Sequence, residues 1–162
     1  MAQVCSKQKQ VDMALEHTGW GGGKGELLVA QVMTDKPCCV SPDLTVLELI
    51  KLFHDKQFRH LLVTEPEHRL VGVISDRDVL RCLGYGCEPN REDLELIRAR
   101  DVMSTDLLTI SPETTLGHAT SILLEQGISC LPVEEGDRLV GIVTNTDLHV
   151  VLRQLLRAAS RL

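Results

Sequence analysis

Two pairs of side chains in this 162-residue chain combine a hydroxyl with a carboxylate at the same spacing. Ser75 is followed three positions later by Asp78, and Thr144 is followed three positions later by Asp147. At this spacing the two groups can form a capping box, in which both bind free N–H groups at the start of a helix. The hydroxyl can instead donate a hydrogen bond to a phosphate, and the carboxylate can accept hydrogen bonds from a ribose. The residues alone leave both interpretations open.

Each pair lies within a ten-residue stretch that occurs twice. VGVISDRDVL begins at Val71 and VGIVTNTDLH begins at Val140. The second residue of each stretch is a glycine, Gly72 or Gly141. A glycine within a strand lets another backbone or a flat ligand approach closely. Both stretches therefore predict a buried strand that ends at a helix start, with room for a neighbour beside the glycine.

The repetition extends over most of the chain. VMTDKPCCVSPDLTVLELI from Val32 aligns with VMSTDLLTISPETTLGHAT from Val102. Equivalent residues are 70 positions apart in that alignment and 69 positions apart in the two ten-residue stretches. The second copy is therefore one residue shorter between these two parts of the repeat. That loss falls where EPEH faces the shorter EGD, which predicts a hairpin turn. Internal repeats of this kind predict two copies of one structural unit.

Hydrophobic periodicity gives the elements of each copy. Thr45 and Glu48 have capping-box spacing, and the apolar residues after them recur as on an amphipathic helix of about three turns. HLLVTE and RLVGVIS predict two buried strands, and SDRDVLRCL predicts a second helix. Each half reads as β-α-β-β-α. We therefore predict an α/β (α+β) fold in which the two halves pack together, because neither can cover its sheet alone.

Two segments lie outside the repeats. GWGGGKG, residues 19–25, predicts a flexible joint rather than a phosphate loop, since no strand precedes it and no GKS or GKT follows it. GYGCEPNREDLELIRAR, residues 84–100, predicts a linker with a short helix around Leu94 to Ala99. The predicted boundaries are 1–28 for a flexible N-terminal segment, 29–83 and 99–156 for the repeats, 84–98 for the linker and 157–162 for the end of the C-terminal helix.

Composition excludes several classes of function. A net charge of −6 with four aromatic residues argues against nucleic-acid binding. No apolar run is long enough to cross a bilayer, and the N-terminus has no secretory h-region, so we expect a cytoplasmic protein. The six cysteines are irregularly spaced, which predicts reduced thiols rather than disulfides or a metal site. No catalytic motif is present, so we expect no enzyme activity.

The two copies of glycine, two apolar residues, Ser/Thr, two variable residues and Asp resemble a tandem pair of cystathionine beta-synthase (CBS) domains, the Bateman module. The resemblance covers roughly Val29 to Leu156. It implies two repeats related by a pseudo-twofold axis, with two clefts between them. It also implies binding of an adenosyl ligand, commonly AMP, ADP or ATP, with NAD or S-adenosylmethionine in some members. No further cofactor is required, and a homodimer is expected.

The resemblance also implies roles for particular residues. Ser75 and Thr144 match phosphate-facing hydroxyls, and Asp78 and Asp147 match ribose-binding carboxylates. Residues of the strands HLLV and CLPV would border the base. Thr34 and Ser104, which follow the VM pair of each repeat, would face the same cleft. The predicted ligand-binding set is Thr34, Arg59, His60, Leu62, Ser75, Arg77, Asp78, Ser104, Pro132, Thr144 and Asp147.

The repeats differ in their cations. Arg59 and Arg77 of the first copy are replaced by Ser129 and Thr146 in the second. Cationic help for a phosphate is therefore concentrated in the first copy, unless these arginines are only solvated surface charges. We predict that the two sites are unequal and that one can be empty.

A sensory module and a purely structural dimerisation module both remain compatible with the sequence. In the first, nucleotide occupancy shifts the arrangement of the repeats, and a separate regulated protein or a second copy reads the shift. The second is favoured by the C-terminal helix, which carries a leucine face and an arginine face: Leu148, Leu152, Leu155 and Leu162, and Arg153, Arg157 and Arg161. Ligand binding distinguishes the two.

Overall fold

A computed structural model describes residues 9–15, 26–82 and 91–160. The glycine-rich stretch 19–25, residues 84–90 of the linker, Arg161 and Leu162 lie outside these ranges. The helices are α1 (9–15), α2 (Val46–Lys56), α3 (Asp76–Cys82), α4 (Arg91–Leu96), α5 (Ala99–Val102), α6 (Leu116–Gln126) and α7 (Asn145–Ala159). The strands are β1 (Thr34–Asp35), β2 (Cys39–Val40), β3 (His60–Thr64), β4 (Leu70–Ser75), β5 (Cys130–Glu135) and β6 (Arg138–Thr144). The predicted mixture of helices and small sheets is confirmed.

The described residues form two compact units. The central unit contains Pro37–Leu108 together with Asp137–Leu139, apart from the undescribed residues 83–90. The terminal unit contains the described residues up to Lys36, then Thr109–Gly136 and those from Val140 onward.

The central unit is built on a three-stranded sheet in the order β2-β3-β4. β2 and β3 are parallel, whereas β3 and β4 are antiparallel with His60 opposite Ser75. One face of the sheet carries a core that includes Leu49 of α2, Leu61 of β3 and Ile74 of β4, all fully buried. Burial of a leucine or isoleucine side chain contributes about 1.5–3 kcal/mol, so these contacts hold the helices on the sheet.

The terminal unit has an equivalent sheet in the order β1-β6-β5. Its core includes Leu131 of β5 and Val143 of β6, both fully buried, and Leu123 of α6. Val11 of α1 is 1% exposed and belongs to the same core. The segment before the first repeat therefore contributes a helix to this unit.

The first strand segment of each repeat pairs with the last strand of the other repeat. Thr34 of β1 lies opposite Ile142 of β6. Ser104 of the second repeat exchanges two backbone hydrogen bonds with Val73 of β4, at 2.9 and 3.0 Å. Each compact unit is thus assembled from segments of both repeats. The boundaries 29–83 and 99–156 describe the repeats in the sequence, and they stay a prediction.

The helix ends follow the local sequence. Thr45 caps α2, with its Oγ1 accepting from the Glu48 amide and the Glu48 carboxylate accepting from the Thr45 amide, as predicted. Thr115 caps α6, and Gly127 ends it in the left-handed conformation at φ 64°. At the equivalent end of α2, Gln57 adopts φ 54° and donates from Nε2 to the carbonyl of His54.

The single linker helix predicted around Leu94 to Ala99 is wrong in its extent. α4 ends at Leu96, and Arg98 is extended before α5 begins. The reason is pairing with the loop before α2: the Val46 amide donates to the carbonyl of Ile97, and the Ala99 amide donates to that of Leu44. Tertiary backbone hydrogen bonds override helix propensity at this point.

Candidate functional site

The corner of the central unit lies where β4 ends and α3 begins. The Ser75 amide donates to Oδ2 of Asp78 at 2.8 Å, and the Ser75 hydroxyl donates to the same oxygen at 2.6 Å. The Asp78 amide donates to Oγ of Ser75 at 3.3 Å. The capping box that the spacing predicts is therefore present. The other carboxylate oxygen of Asp78 accepts from Arg81 at 3.2 Å, and the Asp78 side chain is 18% exposed.

Arginines surround this corner. Nε of Arg59 lies 3.7 Å from the carboxylate of Asp76, and the Arg59 carbonyl accepts from the Asp76 amide. Arg77 is exposed and forms no ion pair with another described residue. Such exposed ion pairs contribute less than about 1 kcal/mol, so their side chains are available to a ligand at little cost.

His60 shares a sheet face with Ser75. Directly opposed residues of an antiparallel pair lie on the same side of the sheet. Burial lowers the pKa of His60 below its ordinary value, and the negative charge of Asp76 opposes that effect. The imidazole is therefore neutral at pH 7. Leu62, two residues along β3, lies on the same face and is fully buried.

Ser104 joins this central corner rather than the second repeat's corner. Its backbone pairing with Val73 sets it beside β4, two residues before Ser75. The structure therefore groups Arg59, His60, Leu62, Ser75, Arg77, Asp78 and Ser104 in the central unit.

The corner of the terminal unit has the same amide and hydroxyl hydrogen bonds to its aspartate, but it is closed. The Thr144 amide and hydroxyl donate to Oδ2 of Asp147 at 2.7 and 2.8 Å. The Asn145 amide donates to the carbonyl of Ser129, as Asp76 does to Arg59. Asp147, however, is only 2% exposed. A ribose could reach this carboxylate only after neighbouring side chains had moved.

Thr34 and Pro132 accompany the terminal corner. Thr34 pairs with Ile142, two residues before Thr144, although it belongs to the first repeat in sequence. Pro132 is buried on β5, the neighbour of β6 in the sheet. Thr34 belongs to the first repeat in sequence, as Ser75 and Asp78 do. In the structure it lies in the terminal unit, because β1 pairs with β6 of the second repeat.

Sequence reasoning missed the role of the repeated methionine. A Cβ atom on Gly72 would lie 2.8 Å from Cγ of Met103, and one on Gly141 would lie 2.5 Å from Sδ of Met33. The space beside each glycine holds a methionine side chain, not the flat ligand that we considered. At Gly141 the backbone also approaches closely, as predicted, because the carbonyl oxygen of Thr34 would lie 3.1 Å from such a Cβ. The VM pair in both repeats was the signal that could have predicted this contact.

Other chemistry has little support among the described residues. Cys38 is half-buried and Cys39 is exposed, and partial loss of hydration raises the pKa of both thiols. Across residues 9–15, 26–82 and 91–160, no three His, Cys, Asp or Glu side chains are placed to share a metal ion. In the same part of the chain, no helix has the length and apolar character needed to span a bilayer.

Comparison with known proteins gives the family. The CBS domain family matches residues 29–85 and 99–153. An uncharacterised protein of Methanocaldococcus jannaschii is 26% identical over 76% of this chain and 90% of its own length. The inosine-5'-monophosphate dehydrogenase of Nitrosopumilus maritimus is 28% identical over 72% of this chain, but that match spans only 22% of the dehydrogenase.

Solved structures show the same fold. A protein assigned to acetoin utilization, AcuB from Vibrio cholerae, is 26% identical with a TM-score of 0.73, over 85% of this chain and 98% of that one. The structure of CBSX2 in complex with AMP is 27% identical with a TM-score of 0.66, over 82% and 98%. The CBS domain pair of protein MJ0100, in complex with 5'-methylthioadenosine and S-adenosylmethionine, is 21% identical with a TM-score of 0.70, over 80% and 98%. With both family matches lying on the repeats that carry the two Ser/Thr–Asp corners, this chain belongs to the CBS domain family as a tandem pair.

Proposed function

We propose that this chain is a regulatory module that binds an adenine nucleotide, AMP, ADP or ATP, and passes its occupancy to a partner protein or to a second copy. Membership of the CBS family and the 27% identity to CBSX2, whose structure contains AMP, support this ligand class. NAD and S-adenosylmethionine are the alternative ligands, and a ligand-independent dimerisation module is the alternative function.

The partly exposed carboxylate of Asp78 in the central corner is the observation that carries the proposal. Among the described residues, Arg81 is the partner of the second carboxylate oxygen of Asp78, and the Arg81 side chain is 76% exposed. Ribose hydroxyls can replace that guanidinium at little cost. The Ser75 hydroxyl would then turn from Asp78 toward a phosphate, which Arg59 and Arg77 would also attract.

The terminal corner would be the weaker site. Asp147 is buried, and the positions equivalent to Arg59 and Arg77 are the uncharged Ser129 and Thr146. A phosphate there would lack a nearby cation from these positions, and a ribose would first have to displace buried side chains. We therefore expect unequal affinities for the two corners, with the central corner filled first.

A regulatory role fits this chain better than catalysis. Both aspartates are engaged in helix caps, where they stabilise the helix starts. Binding can act as a signal only if the ligand prefers one arrangement of the protein over another. The partner that reads this signal is proposed to be a cytoplasmic protein or a second copy of the chain.

Ligand-dependent thermal unfolding tests the proposal. At a concentration one hundred times its dissociation constant, a ligand that binds only the folded protein adds about 2.7 kcal/mol of stability. We expect AMP, ADP or ATP to raise the melting temperature, and Asp78→Ala to abolish that rise. Calorimetry should show one tight site. If none of AMP, ADP, ATP, NAD and S-adenosylmethionine changes the melting temperature, the chain is a ligand-independent module.

A matched variant separates binding from capping. Glu48→Ala removes the equivalent capping carboxylate from α2, at an exposed position away from the corner. Both variants lose a cap, which costs about 1 kcal/mol. Only Asp78→Ala should lose the ligand-induced shift. Equal loss of the shift in both variants would mean that Asp78 acts through helix stability alone.

A further inference from the structure

The charge pattern around His60 has no counterpart in the other corner. His60 is half-buried on β3, directly opposite Ser75 on β4. The equivalent residue in the terminal unit is Cys130, which is buried. The central corner therefore contains a side chain that can gain a proton near physiological pH, and the terminal corner does not at this position.

Four charged groups act on His60. Arg59 precedes it on the chain, while Asp76, Arg77 and Asp78 lie in the first turn of α3. The two carboxylates favour its protonated form and the two guanidinium groups oppose it, and Asp76 has the largest effect of the four charges. Burial then decides the state and keeps the pKa of His60 below its ordinary value of about 6.5.

A phosphate bound at Ser75 would add a negative charge beside His60. Opposed residues of an antiparallel pair have Cβ atoms about 4.5–5.5 Å apart, so a phosphate that accepts from Ser75 would lie close to His60. An added negative charge within about 4–6 Å raises the pKa of a histidine by about 1 unit or more. The occupied corner would then hold a proton that the empty corner lacks.

We propose that nucleotide binding at the central corner is coupled to protonation of His60, so that the protein binds its ligand more tightly as the pH falls. This inference rests on the function proposed above and adds proton-linked regulation to it. Because the complex holds more protons than the free protein, linkage requires affinity to rise as protons become available. The ligand's own phosphate, with a second pKa of about 6, loses charge at low pH and acts in the opposite direction.

Calorimetric titration of the full chain with AMP tests this coupling. Each unit by which AMP raises the pKa of His60 corresponds to about tenfold in affinity. From about pH 8 to about pH 6.5 we expect the affinity to rise several-fold. Repeating the titration in buffers with different ionisation heats should show net proton uptake on binding. His60→Gln should remove both the pH dependence and the uptake.

His54→Gln is the matched control, because His54 is an exposed histidine at the end of α2. This variant should retain the proton uptake of the natural chain. Binding without uptake, or uptake that persists in His60→Gln, overturns the inference while leaving the proposed function intact. If His60→Gln does not fold, the pH titration of the His60 ring resonances with and without AMP measures the same pKa change in the natural chain, and an unchanged pKa overturns the inference. Failure of every nucleotide to bind at any pH refutes the proposed function together with this inference.

Discussion

At the scale of single residues, two glycine–methionine contacts join the segments of each unit. Gly72 lies against Met103 and Gly141 against Met33, and these methionines come from the repeat that does not contain the glycine. A methyl group at either glycine would overlap the methionine side chain. The contact explains why a strand interior carries glycine, which otherwise weakens a strand.

We therefore expect Gly72→Ala and Gly141→Ala each to lower the free energy of unfolding by about 1–3 kcal/mol, through overpacking. Gly117→Ala is the control, because a Cβ at that position of α6 meets no atom within 4 Å. It should raise stability by about 0.5–1 kcal/mol. Urea unfolding measures all three. Combining Gly72→Ala with Met103→Ala should cost less than the sum of the two single changes, and strict additivity would contradict the contact.

At the scale of elements, the two equivalent helices α2 and α6 end in the same backbone conformation with different residues. Gln57 and Gly127 both adopt positive φ. A left-handed conformation costs a residue with a side chain about 1–2 kcal/mol, and glycine adopts it freely. Gln57 recovers part of this cost through its hydrogen bond to the carbonyl of His54.

Exchanging these end residues gives opposite results. Gly127→Ala should lower the melting temperature by several degrees, corresponding to about 1 kcal/mol. Gln57→Gly should raise it by a smaller amount, because the side-chain hydrogen bond is lost as the strain is relieved. Differential scanning calorimetry checks both changes. A neutral Gly127→Ala would mean that the end of α6 can relax out of the left-handed conformation.

The sequence predicted those elements that are specified locally. Thr45 and Glu48 predicted the start of α2, and apolar runs predicted β3 and β4, because these signals act within a few residues. The capping geometry of both corners was predicted for the same reason. The pairing of β1 with β6 was not, since two-residue strands carry too little pattern to choose a distant partner. The difference in exposure between Asp78 and Asp147 also depends on packing that spacing does not encode.

At the scale of the whole molecule, the exposed leucines of α7 favour self-association. Leu152 and Leu156 are 52% and 60% exposed, one turn apart. Leu152 also lines an apolar cavity of about 520 Å³ in the terminal unit, beside Leu116, Leu148 and Leu155. Apolar surface of this kind on a folded protein marks an interaction site. It supports the proposed homodimer and the use of α7 within it.

The double variant Leu152→Glu with Leu156→Glu should convert a dimer to a monomer in light scattering at micromolar concentration. Carboxylates placed in an apolar interface lose their hydration without gaining a partner. Leu96→Glu serves as the control, since Leu96 of α4 is 73% exposed in the central unit. That variant should remain dimeric. If the natural chain is already a monomer at this concentration, the proposed dimer through α7 is wrong.

The pairing of β1 with β6 also sets an order of events during translation. Asp35 lies opposite Gly141, more than a hundred positions later, whereas β2, β3 and β4 are close together along the chain. At synthesis rates of about 5–20 residues per second, the beginning of the terminal sheet leaves the ribosome roughly 5–20 s before its partner strand. The nascent chain can therefore complete the sheet of its middle section while its opening segment still waits for the last strand to be made.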